Sequence, residues 1–176
     1  DHVKDYDVGN SVIEVNDSYG YGYVIVGYTN SYGSCGDADM WLIKTDSNGN
    51  TCDYGSSGEC VDESAGTWVR KYGESSGNDI GNDVIQTSDG GYVITGSTVS
   101  YSSDSYIEAW VIKVDSFGNY KYSGHFGNNS VGYSILEHDY GYIVCGSAWD
   151  ASMLNQAWVF SIGLSGNSMY QDSSPV

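Results

Sequence analysis

Residues 79–127 read DIGNDVIQTSDGGYVITGSTVSYSSDSYIEAWVIKVDSFGNYKYSGHFG. Four short runs within them, 82–87, 92–98, 109–114 and 120–126, are rich in Val, Ile, Thr and Tyr and alternate with period two, which sends successive side chains to opposite faces of a strand. Between the first two runs stands Ser88-Asp89-Gly90-Gly91, whose glycines suit the positive φ of a tight hairpin. Between the last two stands Asp115-Ser116-Phe117-Gly118-Asn119, where Gly118 suits the left-handed position of a slightly longer one. The stretch predicts a four-stranded antiparallel meander.

Its landmarks recur on both sides. GYVITGST around Tyr92 matches GYVIVGYT around Tyr23 and GYIVCGSA around Tyr142, and AWVIK at Trp110 matches MWLIK at Trp41 and AWVFS at Trp158. A Gly-Asn pair follows each of these tryptophans at the same offset, as Gly49-Asn50, Gly118-Asn119 and Gly166-Asn167. The opening strand repeats as Val8-Gly9-Asn10, Ile80-Gly81-Asn82 and Val131-Gly132-Tyr133. Offsets that stay fixed within a unit while the connections vary are the mark of a structural repeat. The sequence therefore divides into 1–73 with an insertion at 51–66, 74–127, 128–170, and a tail at 171–176.

The chain has 17 Tyr, 5 Trp and 24 Gly but a single Pro, and no stretch has a helical apolar period, so the fold class is all-β. Its net charge of −17 opposes binding to a phosphate backbone, because nucleic-acid affinity rests on Lys and Arg. Nucleic acid and anionic membranes are poor partners on that ground, and cations, neutral glycans or basic proteins are better ones; the plain alternative is that the acidity keeps a secreted protein in solution. No apolar run approaches the roughly 20 residues of a membrane span, and the start directly on a strand reads as a mature or excised segment.

The insertion TCDYGSSGECVDESAG lies within the third hairpin of the first repeat. Aligning Lys71-Tyr72-Gly73 with His125-Phe126-Gly127 sets Trp68 in the place of Tyr122. Cys52 and Cys60, eight residues apart in a glycine-rich loop, are placed to form a disulfide suited to an oxidising compartment, with free thiols or a metal pair as the competing readings. Cys145 stands where Val26 and Thr95 stand and reads as a buried free thiol. Cys35 falls in a loop at the opposite edge, which argues against its pairing with either. Without a Cys-x-x-Cys or a neighbouring His pair, zinc is not expected.

TSDGGYVITGST, AWVIKVDSFGN and an aromatic strand ending in Phe-Gly or Tyr-Gly together resemble the secreted β-propeller repeat of bacterial and archaeal surface proteins, whose pattern runs TSDGGYIVxGxT, WLIKxDxxGNxxW, FGG. The resemblance covers nearly the whole chain, three times. Departures are the first repeat's insertion, Tyr122 and Tyr170 in place of Trp, and Ile162-Gly163-Leu164 where Lys-x-Asp is expected. It implies one propeller blade per repeat and an extracellular or cell-surface setting, and no single activity. Propellers close with 4 to 8 blades. Three blades thus predict a half-propeller or open array, completed by a second copy in a six-bladed ring, by polymerisation, or by further blades of a longer chain.

Loops between second and third strands share one edge. They carry Tyr32, Asp37 and Asp39, then Tyr101, Asp104 and Tyr106, then Trp149, Asp150 and Asn155, and aromatic rings beside carboxylates and amides suit glycans. The plain alternative is that these tyrosines pack on one another. Trp41, Trp110 and Trp158 open strands and read as core. Asp46, Asn48 and Asn50 offer alternating oxygens for calcium, yet no Glu falls at position twelve of such a loop, and a turn explains them equally. Asn16 and Asn128 head glycosylation sequons. His2, His125 and His138 occupy unrelated places, and no nucleophile elbow or phosphate loop exists. Acidic pairs such as Asp37 and Asp39 are of the type that serves glycoside hydrolysis, which depends on a separation between carboxyls that sequence does not give. The expectation is a non-enzymatic structural or adhesive module without a resident cofactor, calcium aside, and a lectin-like glycan binder is the alternative.

Overall fold

The computed structural model describes residues 6–32, 37–73, 77–101, 106–149 and 154–165, with the backbone course of 168–172. Three antiparallel sheets and no helix are found among them. The first sheet comprises β1 (Asp7–Asp17), β2 (Gly20–Thr29), β3 (Asp39–Asp46), β4 (Cys60–Asp62) and β5 (Thr67–Tyr72), in the order β1-β2-β3-β5-β4. The second is the meander β6 (Asp79–Gln86), β7 (Tyr92–Thr98), β8 (Glu108–Val114) and β9 (Tyr120–Phe126). The third is the meander β10 (Ser130–His138), β11 (Gly141–Trp149), β12 (Asn155–Gly163) and β13 (Ser168–Asp172). Cys35, Asp104, Asp150, Gly166-Asn167 and the last four residues lie outside the described residues.

Sheet 2 packs against sheet 1 on one face and against sheet 3 on the other, and no closed ring forms among the described residues. One core holds Val24, Val26, Met40, Leu42 and Trp68 of sheet 1 against Tyr92, Ile94, Trp110 and Ile112 of sheet 2. The other holds Val93, Ala109, Val111 and Phe126 against Ile135, Tyr142, Val144, Trp158 and Phe160. Being covered twice, β7 is buried at all seven positions, whereas its counterparts β2 and β11 expose side chains on the face that meets no neighbour. Large side chains buried in this way stabilise by roughly 1.5–3 kcal/mol each.

The repeats share their irregularities too. Each inner strand carries a register shift, between Gly9 and Ser11, Gly81 and Asp83, and Gly132 and Ser134. At that bulge Asn10 Nδ2 donates to the Gly81 carbonyl at 2.8 Å, and Asn82 Nδ2 donates to the Gly132 carbonyl at 2.8 Å. Trp68 stands opposite Lys44 as Tyr122 stands opposite Lys113, the alignment read from the sequence. Each reaches the next sheet: Trp68 Nε1 donates to Ser116 O at 3.1 Å, and Tyr122 Oη to Leu164 O at 2.6 Å. Lys44 and Lys113 are buried and extend to the first hairpin of their own sheet, pairing with Asp17 at 3.0 Å and Asp89 at 2.9 Å.

Four details differ from the sequence reading. The insertion adds an edge strand, β4, which begins at Cys60 and pairs with β5. In the SDGG turn Gly90 alone takes positive φ, at 81°. In the third repeat Ser161, opposite Ile143, holds the register that Lys113 holds opposite Val93, so the lysine's replacement is Ser161. Cys145 is exposed rather than buried. It occupies the Thr95 position, but Thr95 is covered by sheet 3, and among the described residues nothing covers that face of sheet 3 itself.

Candidate functional site

Cys52 and Cys60 are bridged, with Cα atoms 6.0 Å apart. Asp46 Oδ1 accepts the amides of Asn48 and Asn50, both at 2.8 Å, and Oδ2 accepts Asn50 Nδ2 at 3.1 Å. The Asn50 bonds, first among these, hold the Asp46 carboxyl below its ordinary range. Asp115 with Phe117 and Asn119 repeats the arrangement, and Gly49 and Gly118 take φ of 83° and 72°. These are the bonds of a turn initiated by Asp46, in which Asn48 takes part through its backbone amide and Asn50 through its amide and side chain. Among the described residues no three His, Cys, Asp or Glu group to hold a metal ion. The sequon residues Asn16 and Asn128 are both exposed.

The candidate glycan residues separate into structural and exposed groups. Asp37 Oδ2 accepts the Gly77 amide at 3.1 Å, tying its loop to the link between sheets 1 and 2, and Asp39 pairs with Lys71 at 3.4 Å. Both carboxylates are thereby engaged in holding the edge together. Tyr32 packs on Trp41 and Tyr54 with ring centroids 5.9 Å from each, and Tyr54 stands edge-on to Trp41 at 5.5 Å. Burial, followed by the charges of Tyr54 and Asp7, raises the Tyr32 hydroxyl above its ordinary pKa.

Tyr101 repeats the Tyr32 position. It tilts on Trp110 at 5.7 Å and stacks on His125 at 5.5 Å with the planes 9° apart, while His125 Nδ1 lies 2.7 Å from Glu108 Oε2. This corner opens on a crevice of about 480 Å³ between sheets 1 and 2, walled also by Lys71, Tyr72, Tyr120 and Ser123. Sequence reading missed His125, Lys71 and Tyr120 here. The signal was the register that sets His125 opposite Trp110 and Lys71 opposite Trp41. Trp149, 49 % exposed, lies apart in an apolar notch of about 280 Å³ with Ile107, Asn129 and Val131. Asn155 pairs across from Trp149, and Tyr106 is exposed nearby in sequence to Ile107. Tyr101 and Trp149 therefore serve two separate places rather than one ring of loops.

The two end faces of the stack also expose apolar side chains. Sheet 3 presents Leu136, Cys145 and Val159, and sheet 1 presents Val12, Tyr21 and Tyr23. No family model matches the chain, and no curated protein matches it.

Proposed function

We propose that this chain is a non-enzymatic extracellular structural module of the β-propeller-repeat type, in which each sheet is a blade and assembly runs through the end faces. The observation that carries this reading is that the outer faces of sheets 1 and 3 repeat the apolar positions that the internal interfaces bury. A repeat sheet cannot bury both faces alone and is stable when stacked. The Cys52–Cys60 bridge suits an oxidising compartment, and no helix among the described residues is long and apolar enough to cross a membrane. Val159→Glu places a charge on the uncovered face of sheet 3 without touching a buried contact. The variant is predicted to keep the wild-type melting profile when dilute and to lose concentration-dependent association in sedimentation velocity; unchanged association would overturn the reading.

The crevice at Tyr101, with aromatic walls and Ser123 beside them, favours a second reading, glycan binding beside the structural role. Tyr101→Ala is predicted to abolish binding on a glycan array and Trp149→Ala to leave it unchanged. An array on which the wild-type chain retains nothing removes this reading.

A further inference from the structure

The repeat register gives every sheet a face toward the next sheet and a face toward the one before. Val24 and Val26 of sheet 1 and Val93 of sheet 2 face forward into buried cores, and their counterparts in sheet 3 are Ile143 and Cys145. Tyr92 and Ile94, and Tyr142 and Val144, face backward into the same cores, and their counterparts in sheet 1 are Tyr23 and Ile25. Forward faces are mainly aliphatic. Backward faces carry the strand-opening tryptophans Trp41, Trp110 and Trp158. A forward face is thus complementary to a backward one, not to a second copy of itself.

The glycines at the inner bulges mark where that fit is tightest. A Cβ on Gly81 would overlap Val26 Cγ2 and lie 3.1 Å from Met40 Cγ, and a Cβ on Gly132 would overlap Thr95 Oγ1. Both clashes come from the preceding sheet, and both come from the position that Cys145 holds in sheet 3. Gly9 occupies the same place in sheet 1, yet a Cβ there meets only Ile25 Cγ2 of its own sheet, at 3.3 Å. Within this chain nothing requires residue 9 to lack a side chain. A preceding sheet docked in the internal register would require it.

We propose that the forward face of sheet 3 in one copy docks on the backward face of sheet 1 in a second copy, head to tail, with Cys145 of one against Gly9 of the other. This rests on reading the chain as a self-associating repeat, and it fixes the partner and the register. The insertion does not block the junction. Tyr54 fills the corner at Trp41 and Tyr32, and the equivalent corner at Trp110 and Tyr101 is the crevice that remains open between sheets 1 and 2. The backbone of the last strand pairs Tyr170 with Ser161, the register that Trp68 and Tyr122 hold in the other two sheets. One bond is missing: Tyr133 stands where Asn10 and Asn82 donate across the internal interfaces. The junction between copies is therefore weaker than those within a copy. Such a heterologous contact closes into a ring if its rotation allows and otherwise extends as a filament.

The test compares Gly9→Ala and Gly9→Leu with the wild type in sedimentation velocity. Within the chain a Cβ at residue 9 meets only Ile25 Cγ2, so the dilute Gly9→Ala variant is expected to keep the wild-type melting profile. In a docked pair the same atom would overlap Cys145 of the other copy, so association of both variants is expected to weaken at least about tenfold. Because the two faces differ, an equimolar mixture of Gly9→Leu, blocked on its backward face, and Val159→Glu, blocked on its forward face, is expected to form dimers where each alone stays monomeric. Gly9 variants that associate as the wild type does, or a mixture that stays monomeric, would overturn the head-to-tail register while leaving self-association standing. Wild-type particles that stay monomeric at every concentration would overturn both.

Discussion

Lys113 is 4 % exposed, and its ammonium reaches Asp89 Oδ1 at 2.9 Å and Val114 O at 3.0 Å. Burial on its own would raise the Asp89 carboxyl, but hydrogen bonds from Thr87, Lys113 and the Gly91 amide outweigh it and hold Asp89 at about 2. A carboxyl depressed on folding contributes stability that is present above its unfolded value, near 4, and is lost as pH falls toward 2. Thermal melts between pH 5 and pH 2 are therefore predicted to fall, and Asp89→Asn to flatten part of that fall; a variant as acid-sensitive as the wild type contradicts the assignment. Because Asp89 is largely exposed, Lys113→Met, which keeps the apolar stem, is predicted to cost only about 1–2 kcal/mol in denaturant unfolding. Gly81→Ala, which forces its Cβ into Val26, is predicted to cost roughly 1–3 kcal/mol, against less than about 0.5 kcal/mol for Gly9→Ala in the dilute chain. Tryptophan burial was legible from position alone, since Trp41, Trp110 and Trp158 open equivalent strands. The exposure of Cys145 was not, because alternation says which face a side chain takes and not whether another sheet covers that face.

At the scale of elements, the meanders followed from period-two runs and glycine turns, and the register of the fourth strand followed from aligning Lys71-Tyr72-Gly73 with His125-Phe126-Gly127. The edge strand β4 was hidden because Cys60-Val61-Asp62 is too short to show a period. Its place beside β5 depends on the bridge to Cys52, which holds the loop against the sheet. Removing both cysteines as Cys52→Ser with Cys60→Ser is predicted to release roughly 2–3 kcal/mol of local stabilisation. Hydrogen exchange should then quicken at 60–62 and leave β1 and β2 protected; equal loss across the first sheet would show that β4 is integral to it. The candidate glycan residues were legible as an edge and not as a site. Asp37 and Asp39 are spent on holding loops together, whereas His125 enters the Tyr101 corner only through its cross-strand pairing with Trp110.

At the scale of the whole molecule, a net charge of −17 opposes the approach of two copies while the apolar end faces favour it. Salt screens the first and strengthens the second, so association is predicted to increase between about 50 and 500 mM salt, opposite to an assembly held by ion pairs. The stacking proposal rests on the covered sheet 2 and the two half-covered sheets that flank it. The most direct test of that account is the absolute mass of the native particle by light scattering across a concentration series. Stacking predicts masses at whole multiples of 19.0 kDa that rise with concentration. A constant 19.0 kDa from dilute to millimolar solution would contradict it.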